Sequence, residues 1–103
     1  MEVAFKMKLN PGMASEYKKR HDAIWPELSN ELTKAGVYDY SIFLDEETNI
    51  LFAVHKLKEK NRSNMLAELE IVRKWWDYMA DIMEVNSDKS PVIVFLKNVF
   101  HMD

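Results

Sequence analysis

The first apolar residues of the chain fall on every second position: Val3, Phe5, Met7 and Leu9 alternate with Ala4, Lys6 and Lys8. A period of two predicts a strand with one buried face. Asn10-Pro11-Gly12 punctuates it. From Met13 to about Ile24 the spacing turns helical, with Met13, Tyr17, Arg20, His21 and Ile24 on one stripe. Pro26 disfavours helical geometry at Trp25, so the helix breaks or kinks there. A second helix restarts with Pro26 in its first position, buries Leu28, Leu32 and Ala35, and stops at Gly36.

Val37 to Leu44 reads as a second strand, with Tyr38, Tyr40, Ile42 and Leu44 on one face. Asp45 to Asn49 is a polar turn, and Ile50 to Leu57 completes a hairpin. Asn61 to Met83 is helical and rich in apolar residues. If it were continuous, Glu68 would project into the middle of its apolar arc. A buried, unpaired carboxylate is costly, so an interruption is expected near Glu68 to Glu70. After a polar loop from Glu84 to Ser90, Pro91 opens a last strand, Val92 to about Phe100.

The order βαββαβ predicts an α+β fold: a ferredoxin-like plait in which both helical layers cover one face of a four-stranded antiparallel sheet. The other face is then bare. A sheet this apolar needs a ligand or a second subunit over that face, and a homodimer is the expectation.

A chain of 103 residues with no composition break is expected to be one domain, 1–103. Its net charge of −3 is small and of the wrong sign for a nucleic-acid partner. No cysteine is present, which excludes disulfides, zinc-thiolate sites and iron–sulfur clusters. The longest aliphatic or aromatic run, Val92 to Leu96, is far short of the about twenty residues of a membrane span. Met1-Glu2-Val3 opens no signal peptide, so a soluble intracellular protein without membrane attachment is expected. No glycine-rich phosphate loop occurs.

Tyr17 and His21 lie one helical turn apart and can address one ligand. Histidine exchanges protons near neutrality, but it is as often a helix residue satisfied by a neighbouring carbonyl. Glu16 and Arg20 read as an exposed ion pair worth little. Trp75 and Trp76 diverge by about 100° on a helix. One can sit under the helix and the other at a subunit interface, or an indole can line a pocket for a flat or sugar ligand. His55 and His101 lack a second ligand at helical spacing, so no metal site is expected.

The stretch Arg20-His21-Asp22-Ala23-Ile24-Trp25-Pro26-Glu27-Leu28, then Tyr38-Asp39-Tyr40-Ser41-Ile42-Phe43-Leu44-Asp45, resembles the L-rhamnose mutarotase family, as do Trp75-Trp76-Asp77-Tyr78-Met79 and Val99-Phe100-His101. The similarity spans essentially the whole chain. It departs at Asp22-Ala23, where family members carry Asn-Pro, and at the more polar Glu68-Leu69-Glu70. The resemblance implies a small cytoplasmic homodimer, a dimeric α+β barrel that interconverts the α and β anomers of L-rhamnose without metal or organic cofactor. It further implies that His21 matches the proton donor, Tyr17 and Tyr40 the sugar-binding tyrosines, and Trp75 with Trp76 the sugar-binding tryptophan pair.

Anomer exchange fits those residue types. The ring opens when its oxygen gains a proton while the anomeric hydroxyl loses one, which calls for an acid/base near neutral pKa and positioning donors. The second proton-transfer group stays open between a water and a tyrosine. Two alternatives use the same residues: a haem-handling or monooxygenase-type dimeric barrel, and a non-catalytic small-metabolite-binding dimer.

Overall fold

A computed structural model describes residues 1–103. Strand β1 spans Glu2–Lys8, helices α1 and α2 span Ala14–Asp22 and Pro26–Lys34, and strands β2 and β3 span Val37–Asp45 and Ile50–Leu57. A 3-10 segment, Ser63–Glu68, precedes helix α3, Glu70–Met79, and strand β4 is Val94–Phe95. The strands form one antiparallel sheet in the order β2-β3-β1-β4, the ferredoxin-like arrangement.

The alternation in β1 decides its burial. Phe5 and Met7 are buried while Glu2 and Lys8 are exposed, and Phe5 pairs with Ala53 and Met7 with Leu51 across β3. These residues, with Leu9, meet Leu28 of α2 and Val72, Trp75 and Met79 of α3 in one core. Each fully buried large apolar side chain contributes about 1.5–3 kcal/mol relative to exposure, so this layer carries most of the stability of the fold.

The two-helix break falls where proline demands it. Trp25 is extended (φ −63°, ψ 128°) and Pro26 starts α2. Gly36 closes α2 at φ +94°, and a Cβ there would lie 2.8 Å from the Asn61 Cβ, so both conformation and space require glycine.

The segment 61–83 is broken near Glu68, as its carboxylate on an apolar arc requires: Leu69 is extended (ψ 132°), Glu68 stays exposed, and α3 restarts at Glu70. Three other expectations change. First, the helix ends at Met79, short of Met83. Second, Tyr38 does not share a face with Tyr40. Asp39 adopts φ +51° and the β2–β3 register shifts between Tyr38 and Ser41, so Tyr38 opposes Lys56 while Ile42 and Leu44 oppose Ala53 and Leu51. Third, the last strand is only two residues long rather than Val92 to Phe100. Its register places Phe95 opposite Phe5 and Val94 opposite Lys6, so by Asn98 the chain has reached Glu2 and β1 has no more backbone to offer. Val99 and Phe100 run on 89% and 77% exposed.

The sheet face away from the helices carries Phe43 opposite Phe52, both exposed, with Val94 and Val54 on the same side. No helix is long and apolar enough to cross a membrane.

Candidate active site

One turn of α1 places Tyr17 and His21 in a stack, with ring centroids 4.3 Å apart and planes 23° from parallel. His21 Nδ1 lies 3.1 Å from the Tyr17 carbonyl oxygen. A carbonyl only accepts, so Nδ1 carries the proton and Nε2 presents a lone pair in the neutral ring. The reading of His21 as a helix histidine satisfied by a neighbouring carbonyl holds for Nδ1, and that bond leaves Nε2 as the unshared ring nitrogen. Burial pushes its pKa below the ordinary 6.5, while the Tyr17 carbonyl and Asp22 pull it partly back. At neutral pH His21 is an uncharged proton acceptor.

Trp75 stands perpendicular to His21, centroid to centroid 5.3 Å at 88°. Buried Trp75 in turn meets Trp25 edge-on at 5.0 Å, and Trp25 stacks on Tyr78 at 5.4 Å. Trp76 packs half-buried at the margin of the core and makes none of these ring contacts. The tryptophan pair is thus divided: the structure joins Trp75 to His21 and leaves Trp76 apart.

Arg20 overturns the expectation of a weak surface pair. Its side chain is 11% exposed, donates from Nε to Glu16 at 2.7 Å, reaches Asp81 at 2.9 and 3.3 Å, and donates to the Tyr78 carbonyl at 2.7 Å. The guanidinium also lies 4.5 Å over the Tyr78 ring. It ties α1 to the end of α3, one residue from His21. The sequence carried the signal, since Arg20 sits on the buried stripe of α1. Trp25 and Tyr78 were missed as members of the cluster, because their meeting depends on the break at Pro26.

Tyr40 enters from β2, turned to the helix side by the Asp39 bulge, with its ring 5.1 Å from His55. Burial raises the pKa of Tyr17, with a further push from the nearby Tyr40 phenol. Burial also pushes Tyr40 up, although 41% of its surface faces solvent. The direction is what matters: both phenols are protonated donors at neutral pH.

The chain's own hydrogen bonds use His21 Nδ1 but neither phenol hydroxyl nor the indole N–H of Trp75, and neither the Tyr17 hydroxyl nor the Trp75 N–H is sealed from solvent. Such a set of convergent, unspent polar groups beside aromatic rings suits a small polyhydroxylated ligand. No group of three His, Cys, Asp or Glu side chains is close enough to hold a metal ion. Two surface clefts lie elsewhere, along the start of β1: one is lined by Val3, Phe95 and Leu96, the other by Met1, Lys56 and His101. Neither contains the aromatic cluster.

The model of the L-rhamnose mutarotase family matches residues 2–102. An L-rhamnose mutarotase of Bacteroides thetaiotaomicron is 63% identical over 100 residues, covering 97% of this chain and 96% of the relative. One from Phocaeicola vulgatus is 61% identical with the same coverage. The crystal structure of an L-rhamnose mutarotase from Formosa agariphila superposes with a TM-score of 0.93 at 55% identity, covering 100% of this chain and 99% of that one. A Pseudomonas aeruginosa structure at 11% identity, with a TM-score of 0.59 over 96% and 93% of the chains, shares the fold. These matches do not favour the haem-handling or binding-module alternatives. The chain belongs to the L-rhamnose mutarotase family.

Proposed function

We propose that the protein interconverts the α and β anomers of L-rhamnose and that His21 is its proton-transfer residue, a base first and the proton donor that the family resemblance implies only once it has become the imidazolium. The observation that carries the reading is the state of the His21 ring: its Nδ1 is tied to the Tyr17 carbonyl, so Nε2 is left as a base beside two unspent phenols. Nε2 takes the proton of the anomeric hydroxyl while a water or a tyrosine hydroxyl gives one to the ring oxygen and the C1–O5 bond breaks. The resulting aldehyde rotates about the C1–C2 bond. Closure on its opposite face reverses the proton movements, with the imidazolium returning its proton to the new anomeric oxygen. The Tyr17 carbonyl favours the imidazolium while it lasts. Tyr17 and Tyr40 donate hydrogen bonds to sugar oxygens, and Trp75 offers an apolar wall to the C–H face or the 6-methyl group. Trp76, implied by the family resemblance, has less support as a sugar contact, since it stands apart from His21. Proton transfer of this kind requires no metal or organic cofactor.

The working form we infer is a cytoplasmic homodimer serving rhamnose metabolism, in which a second copy covers Phe43, Phe52 and Val94. Those residues expose 64%, 36% and 51% of their surface in the single chain, and the two aromatic rings form a cross-strand pair. Magnetisation transfer between the two anomeric protons of L-rhamnose tests the activity. Exchange faster than the spontaneous rate is expected. Binding without acceleration returns the protein to the binding-module class.

A further inference from the structure

Across the whole chain one buried side-chain nitrogen or oxygen is left without a hydrogen bond, and it is His55 Nδ1. His55 stands on β3 opposite Val3, two residues from Ala53, which is fully buried in the helix-facing layer. Phe5 meets its ring edge-on at 6.0 Å and Tyr40 lies against it at 5.1 Å. The nitrogen is therefore enclosed within an aromatic wall, on the side of the sheet that faces His21 and Tyr17. The Lys56 backbone approaches the ring closely enough to favour its charged form, but the contact falls outside good hydrogen-bond geometry and leaves Nδ1 without a partner.

An unsatisfied polar group in an apolar setting costs stability, and a leucine or phenylalanine would fill this position of the sheet without that cost. A histidine here calls for a partner that the folded chain does not supply. Tyr40, the residue beside it, keeps 41% of its surface exposed and so has room to swing aside. Such a swing would bring the imidazole within reach of whatever molecule Tyr40 contacts.

We propose that His55 is a further sugar-contacting residue, which hydrogen-bonds one hydroxyl of the pyranose beside Tyr40 and so sets which hydroxyl pattern is accepted. The proposal rests on the reading of Tyr17, His21 and Tyr40 as the sugar site. It makes that site two-sided: α1 supplies the proton-transfer residue, and the hairpin of β2 and β3 supplies a specificity wall. The neutral ring has one donor and one acceptor nitrogen, and a sugar hydroxyl can answer either.

Two measurements test it. In the wild-type protein with nitrogen-15-labelled histidines, saturating L-rhamnose should shift the ring nitrogens of His55 as well as those of His21. In kinetics, His55→Phe keeps the ring shape and loses the hydrogen bond. It should raise KM for L-rhamnose about tenfold and leave kcat within about twofold. With 2-, 3- and 4-deoxy-L-rhamnose as substrates, that penalty should vanish for the one analogue lacking the contacted hydroxyl. Unmoved His55 nitrogens, an unchanged KM, or an equal penalty for all three analogues would each overturn the assignment, while anomer exchange by the wild type would leave the His21 reading intact. Absence of any exchange in the wild type removes both.

Discussion

The two faces of the sheet hold similar residues in opposite circumstances. On the helix side, Phe5, Met7, Leu51 and Ala53 are buried under α2 and α3, and polar atoms surface only where Tyr17, His21, Tyr40 and His55 gather. On the open side, Phe43 and Phe52 are as apolar as the core yet have nothing above them. One face is finished by the chain itself and keeps a few polar groups in reserve for a small molecule; the other waits for a surface of its own kind. A bulge at Asp39 sorts the tyrosines between them, sending Tyr40 inward and Tyr38 outward.

Truncating the ring at the heart of the finished face should have the largest effect on stability. Trp75→Ala removes a buried indole that supports both His21 and Trp25, and a loss of about 3–5 kcal/mol is expected in urea unfolding. Trp76→Ala, at the margin, should cost clearly less. Trp75→Phe should abolish the fluorescence response to L-rhamnose while Trp76→Phe keeps it; equal behaviour of the two would erase the division drawn between them.

Breaking the open face should leave chemistry behind. Phe43→Asp places a charge in the inferred dimer contact, so light scattering should fall from twice 12.2 kDa to 12.2 kDa. Because His21 lies on the other side of the sheet, the variant should still exchange anomers within a few-fold of wild type. A wild type that is already monomeric at micromolar concentration would contradict the covered-face account.

A smaller effect is expected at Arg20. Arg20→Met strips four charge-assisted or carbonyl hydrogen bonds, three of them to the carboxylates of Glu16 and Asp81, which are partly in solvent, and should destabilise by about 1–3 kcal/mol. Arg20→Lys retains one point charge but not the fork that serves Asp81 and Tyr78 together, and should recover only part of the loss. Smallest of all, Phe100→Ser, in a segment that overruns β1, should change the stability of the isolated chain by less than about 0.5 kcal/mol.

Much of this was legible in the residues. Alternation in β1, the Trp25-Pro26 break and the Gly36 stop are local effects, and local effects are written in local sequence. The conflict at Glu68 also announced its own resolution, because a carboxylate on an apolar arc forces the helix to break. Tyr17 and His21 could be paired from their spacing alone. What stayed hidden was set by tertiary register. The Asp39 bulge reverses Tyr38 with no glycine to mark it, and the register of β4 carries Val99 and Phe100 past the start of β1. Arg20 stands on the buried stripe of α1, but its partners Asp81 and Tyr78 come to it only with the end of α3, and the meeting of His55 with Tyr40 needs that same unmarked bulge.

The central claim is that His21 works as a neutral base whose pKa burial has lowered, and the pH dependence of anomer exchange tests it most directly. A base with a depressed pKa is active above that pKa and silenced below it, so the wild-type rate should hold through neutrality and fall only at a pH below 6.5. His21→Ala should be slower by about 100- to 10,000-fold and lack that acidic limb. A variant that folds, exchanges anomers within a few-fold of wild type and keeps the same limb would show that the proton passes through another residue.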